Sequence, residues 1–152
     1  MILVKQVGVY VNILNCRLKK YLAEVFKKNG VNLTAEQYLV MDTLWNEGTL
    51  TQQAIAFIIQ KDKNSVTQFI DNLEKKGLVK RSISKEDRRV NNIVVTEKGM
   101  ALKDSTKQLA IDTMNHALEG IPEEDVQTFV GVLKKVGANI SDFGKDAEGL
   151  EF

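Results

Sequence analysis

A single cysteine, Cys16, in 152 residues excludes an internal disulfide. With one histidine, His116, there is no Cys/His cluster for a structural zinc either. A reducing, cytoplasmic setting is therefore expected, with no cofactor and no metal. No stretch reaches the roughly eighteen uninterrupted apolar residues of a membrane span, so no membrane partner is expected. The opening MILVKQVGVYVNILNC imitates an export signal ending in a lipid-accepting cysteine. Its lone early lysine, its interior polar residues and Asn15, where a small residue belongs, argue against export. Hydrolytic machinery is also missing: there is no G-x-S-x-G, no P-loop, and no evident nucleophile for His116. An enzyme is not expected. Nor is there an excess of one charge, since the net value of +1 points to no polyanion by itself.

The charge that is present is segregated. Between Lys61 and Arg89 lie nine basic and five acidic residues, a local +4 inside a chain whose remainder carries −3. The same region, DKNSVTQFIDNLEKKGLVKRSISKEDRRVNNIVVT from Asp62 to Thr96, predicts one helix and then a two-stranded hairpin. Val66, Phe69, Ile70 and Leu73 recur at helical spacing and share one face, while Asn64, Thr67, Gln68, Asp71 and Lys75 share the opposite one. Asp62 is placed to cap the helix and Gly77 to end it. LVKRSI and NNIVV then read as β-strands around the polar tip SKEDRRV. Uncharged amides and hydroxyls beside a basic hairpin suit DNA, the former for base edges and the latter for phosphates. An ordinary solvated helix with a surface hairpin is the alternative on these residues alone.

The flanks supply the rest of a fold. Val7, Val11, Leu14, Leu18, Leu22 and Val25 predict a first helix over residues 3–28, ended by Gly30. Thr34-Ala35-Glu36-Gln37 is a capping-box pattern opening a second helix that ends at Gly48. Thr51 caps a short third, QQAIAFII, with Ala54, Ile55, Ile58 and Ile59 inward. Two short helices closely joined, the second with a polar outer face, make a helix-turn-helix, and the hairpin makes it winged. After Thr96 one long amphipathic helix is expected through to about Gly120, and then a last helix with Pro122 in its first turn, followed by Glu123, Glu124 and Asp125. The tail SDFGKDAEGLEF has weak periodicity. The outer helices carry more apolar surface than the central unit can cover, so a homodimer built from both ends of the chain is expected. A coiled coil with a different protein is the competing explanation.

The run DKNSVTQFIDNLEKKGLVKR, the wing sequence EDRR and the following NNIVVTEKG resemble the MarR (multiple antibiotic resistance regulator) family of bacterial transcription factors, over nearly the whole chain. The fold class implied is mainly α: a winged helix-turn-helix of three core helices and a β-hairpin wing, with N- and C-terminal dimerisation helices. Within one MarR-like domain over 1–152, residues 33–97 would form the DNA-binding part, and 1–30 and 98–140 the dimerisation helices. The resemblance implies a homodimer on pseudo-palindromic double-stranded DNA, commonly a repressor released by a small phenolic or other amphipathic effector, or by oxidation. Carried over by position, the recognition helix begins at Lys63, and Asn64, Ser65, Thr67 and Gln68 face the major groove. In the wing, Lys85 adds positive charge, Asp87 orients the tip, and Arg88 or Arg89 enters the minor groove. Gln68 departs from the family, where a basic residue is common.

One branch of the family senses peroxides through a first-helix cysteine, but alignment on Gln37-Tyr38-Leu39 puts that position at Tyr10, with Glu24 and Ala35 in place of its supporting tyrosines. A packed thiol is expected of Cys16. Tyr38 and Trp45 border the cleft in which the family binds effectors, and both read either as ligand-pocket residues or as core. The alternative function is a winged-helix protein-interaction module without DNA binding.

Overall fold

The computed structural model describes residues 2–140. In chain order its elements are α1 (Leu3–Lys28), α2 (Ala35–Glu47), β1 (Leu50–Thr51), α3 (Gln52–Ile58), α4 (Lys63–Lys75), β2 (Val79–Ile83), β3 (Asn91–Val95), α5 (Glu97–Ala101), α6 (Lys103–Ala117) and α7 (Glu123–Asn139). Two compact units are present, divided between Thr113 and Met114.

Short polar side chains start four of the helices. Thr34 Oγ1 accepts from Gln37 N while Gln37 Oε1 accepts from Thr34 N, both at 3.1 Å, a complete capping box. Thr51 and Thr96 accept from Ala54 N and Gly99 N, also at 3.1 Å. Each threonine cap contributes about 1 kcal/mol. Asp62 accepts from Ser65 N at 2.9 Å, and the Ser65 hydroxyl and amide hold its carboxyl below the usual carboxylate range. At the other end of α4, Gly77 takes φ +73, so that Gly77 N reaches Glu74 O at 2.9 Å and Leu78 N reaches Leu73 O at 3.0 Å. Two carbonyls that the helix would leave bare are satisfied by this left-handed turn.

The core of the first unit gathers Phe26 from the end of α1, Val40, Met41, Leu44 and Trp45 from α2, and Ile55 from α3. Val66, Ile70 and Leu73 of α4 and Val79 and Ile93 of the sheet complete it, all buried. Phe69 is half-buried against this cluster. The sheet is antiparallel in the order β1-β3-β2, with Leu50 opposite Ile93 and Arg81 opposite Ile93 on its other edge.

Four features depart from the sequence expectations. β1 is two residues long, and only its pairing with β3 makes it a strand. The single helix expected after Thr96 is broken at Leu102, whose amide makes an i→i−3 bond to Gly99 O at 3.3 Å before the α6 ladder resumes. Pro122 does not enter the first turn of α7; it is the N-cap, with ψ 142°, and its carbonyl accepts from Asp125 N and Val126 N. Cys16 is exposed, because α1 joins the core only further along, through Leu22 and Phe26. The tail from Ser141 lies outside the described residues.

On α1, Leu3, Val4, Val7, Val11 and Leu14 are exposed. In the second unit Phe129, Val130, Leu133 and Val136 of α7 are exposed too.

Candidate nucleic-acid interface

The outward face of α4 divides into free and engaged groups. Lys63, Asn64 and Gln68 are exposed, and no hydrogen bond holds the side-chain amides of Asn64 and Gln68 among the described residues. Ser65 is engaged: its hydroxyl donates to Asp62 Oδ2 at 2.7 Å. Thr67 is engaged twice, donating to Lys63 O at 2.9 Å and accepting from Gln52 Nε2 on α3.

The wing tip is built around Asp87. Its carboxylate accepts from Arg89 N at 3.0 Å, Arg89 Nε at 3.1 Å and Arg89 Nη2 at 3.0 Å, while its carbonyl accepts from Val90 N at 3.0 Å. Ser84 Oγ accepts from Glu86 N and, at 3.4 Å, from Asp87 N, closing the turn. The Arg89 side chain holds the Asp87 carboxyl below the usual carboxylate range, and Asp87 in turn raises Arg89. Arg89 is 90% exposed at its side chain yet fixed in direction. Arg88 and Lys85 are exposed, with no ion pair among the described residues. The tip therefore presents one oriented guanidinium and, among the described residues, two cations without an ion pair.

Wing and helix are pinned together by residues that the sequence did not single out for the interface. Arg81 of β2 lies between Asp71 and Glu74 of α4, and its backbone amide donates to Glu74 Oε2 at 3.0 Å. Asp71 and Glu74, three apart on one helix face, were the available signal. Between α3, the start of α4 and the base of the wing lies an open cleft of about 620 Å³, lined by Gln52, Gln53, Lys63, Arg89 and Asn91 among others.

The far end of α4 is anchored on both sides. Lys76 Nζ donates to Asn32 O at 2.8 Å and to Gln37 Oε1 at 2.7 Å, and burial pushes this ammonium down. Lys98 Nζ donates to Lys76 O at 2.8 Å, and the Thr96 hydroxyl donates to Gly77 O at 2.6 Å. Gly99 completes the contact, since a Cβ there would lie 2.3 Å from the Leu78 carbonyl oxygen. The T-x-K-G run thus has a structural meaning at each of its three defined positions.

Tyr38 and Trp45 sit in an aromatic chain with Phe26. The Phe26 and Tyr38 rings meet edge-on at 5.3 Å, and Tyr38 and Trp45 are tilted at 6.4 Å. Trp45 is buried and its Nε1 donates to Gly99 O at 3.2 Å. Burial first, and Asp42 second, push the Tyr38 phenol up to about 12. His116 lies 3.2 Å from Glu119 on the surface. Among the described residues, no group of three or more His, Cys, Asp or Glu is arranged to hold a metal ion, and no helix is long and apolar enough to cross a membrane.

Three packed helices with a sheet-closed hairpin flanking the third define a winged helix-turn-helix. The MarR family profile matches residues 33–90. The HTH-type transcriptional regulator MhqR of Bacillus subtilis is 32% identical over 116 residues, which is 76% of this chain and 79% of that protein. The chain belongs to the MarR family. In structure it resembles an E. coli MarR mutant complexed with operator DNA, with a TM-score of 0.79 and 23% identity over 90% of this chain and 99% of that one. A MarR family regulator from Rhodococcus sp. RHA1 gives a TM-score of 0.77 and 23% identity over 90% and 95%.

Proposed function

We propose that this MarR family protein is a sequence-specific DNA-binding transcriptional regulator acting as a homodimer on pseudo-palindromic sites. The observation that carries this reading is the juxtaposition of free amides on α4, Asn64 and Gln68, with an oriented Arg89 and exposed Arg88 and Lys85 on the wing. Amides of this kind pair with base edges, adenine above all, and cations with phosphates or a narrow minor groove. Lys63, Ser65 and Thr67 complete the helix surface, and Asp87 serves by holding Arg89. The similarity to a MarR mutant complexed with operator DNA supports the reading. Asp71 and Glu74, the acidic residues that would suit a protein partner, are occupied by Arg81.

The dimer is supported by the apolar residues left exposed along α1 and α7, which a second copy of the chain would cover. Residues 33–97 would then read DNA, while 1–30 and 98–140 associate. Recognition helices about 34–36 Å apart would enter successive major grooves. We assign the protein as a repressor, released when a small amphipathic or phenolic effector, contacting Tyr38 and Trp45, shifts the dimer to a spacing that no longer fits.

Selection of duplexes from a random pool at fixed salt, with light scattering of the free protein, tests the reading. An enriched inverted repeat with half-site centres about 10 base pairs apart, bound by a dimer, is expected. A monomer that enriches nothing would sink it.

A further inference from the structure

Thr67 stands on the outward face of α4, yet its hydroxyl is already occupied within the chain. It donates to the Lys63 carbonyl one turn earlier and accepts from Gln52 Nε2 on α3. A hydroxyl has one proton to give. With that proton on Lys63 O and one lone pair on Gln52, Thr67 has no donor for a base. Gln52 keeps what Thr67 lacks: its Oε1 and its second N–H remain, and the residue lines the open cleft together with Lys63 and Arg89.

We propose that Gln52 is a specificity-determining residue, and that Gln52 and Thr67 read DNA as one unit spanning α3 and α4. Gln52 fixes the Thr67 rotamer and contributes an acceptor and a donor; Thr67 contributes its methyl group. An amide acceptor and donor complement N6 and N7 of adenine, and a methyl group suits the thymine methyl. The feature read is therefore an A·T pair in the major groove. This inference rests on the DNA-binding reading above and names a residue outside the helix that reading relies on. A Gln52 that merely buttresses α4 would act on every duplex alike.

A double-mutant cycle on the duplex enriched by the wild-type protein separates these roles. Affinities are measured at one salt concentration for wild type, Gln52→Ala, Thr67→Val and the double variant, on the enriched duplex and on its single-base-pair variants. Unfolding midpoints are recorded alongside. Each single change is expected to weaken binding about tenfold, and the double change also about tenfold, with the loss confined to one A·T pair in each half-site. Unaltered base preference in Gln52→Ala, an additive loss of about a hundredfold in the double variant, or an equal loss on all duplexes overturns the inference while leaving DNA binding intact. A wild-type protein that enriches no duplex removes the DNA reading itself, and the inference with it.

Discussion

The guanidinium of Arg81 on β2 lies 2.6 Å from the carboxylate of Asp71 and 3.0 Å from that of Glu74, both on α4. Its charge is neutralised locally, so its work is mechanical: it fixes the root of the wing against the helix. Arg81→Met is expected to speed amide hydrogen exchange in β2 and to weaken DNA binding with little change in salt dependence. A drop of a full unit in the log–log salt slope would instead make Arg81 a phosphate contact.

The neighbouring arginines of the tip are expected to separate by their restraint. Exposed and unpaired among the described residues, Arg88 suits a phosphate, so Arg88→Ala should weaken binding to all sequences alike and lower the salt slope by about one unit. Arg89, held by Asp87 through two side-chain hydrogen bonds, suits a narrow groove. Arg89→Ala should concentrate its loss on A·T-rich flanks. Asp87→Asn should relax the same preference while keeping the cation. Titrations on A·T- and G·C-flanked duplexes at several salt concentrations distinguish the cases; identical profiles for all three variants would refute the division.

At Gly99 the helix α5 approaches the backbone too closely for any side chain. An added Cβ would stand 2.3 Å from Leu78 O and 2.7 Å from Val95 Cγ1. Gly99→Ala is expected to destabilise the protein by about 1–3 kcal/mol, read from the denaturant midpoint. An unchanged midpoint would mean that α5 can retreat at no cost.

Tyr38 sets an alkaline limit. Its folded pKa, raised to about 12 by burial and then by Asp42, lies above the unfolded value of about 10. The folded state therefore holds the phenolic proton more tightly than the unfolded one. The stability tied to this is fully present below pH about 10 and is lost as pH rises through about 12. Tyrosinate absorbance should show a late step that Tyr38→Phe removes. A wild-type titration complete near pH 10 would contradict the burial.

How much of this was legible in the sequence follows from the reach of each interaction. The caps at Thr34, Thr51, Asp62 and Thr96 act over three residues, and spacing alone finds them. The apolar stripe of α4 was equally plain, since period fixes face. The break at Leu102 was not, because Leu102 keeps helical torsions and only its hydrogen-bond register changes. β1 needs Ile93, forty-three residues away, to exist at all. At the candidate site the residue types were readable, but their engagement was not. Arg81 counted as one more wing cation until its strand direction brought it to Asp71, and Ser65 and Thr67 looked as free as Asn64 until Asp62 and Gln52 were seen to hold them. The exposure of Cys16 reflects the same limit: a helical stripe tells which side is apolar, not where along the helix the neighbour begins.

The carbonyls that follow α4, those of its C-cap Lys76 and of Gly77, accept hydrogen bonds from Lys98 Nζ and the Thr96 hydroxyl. The segment that leads into α6 thus holds α4 by its tail. Sliding α5 by the length of one hydrogen bond either draws the end of α4 with it or strands two carbonyl acceptors.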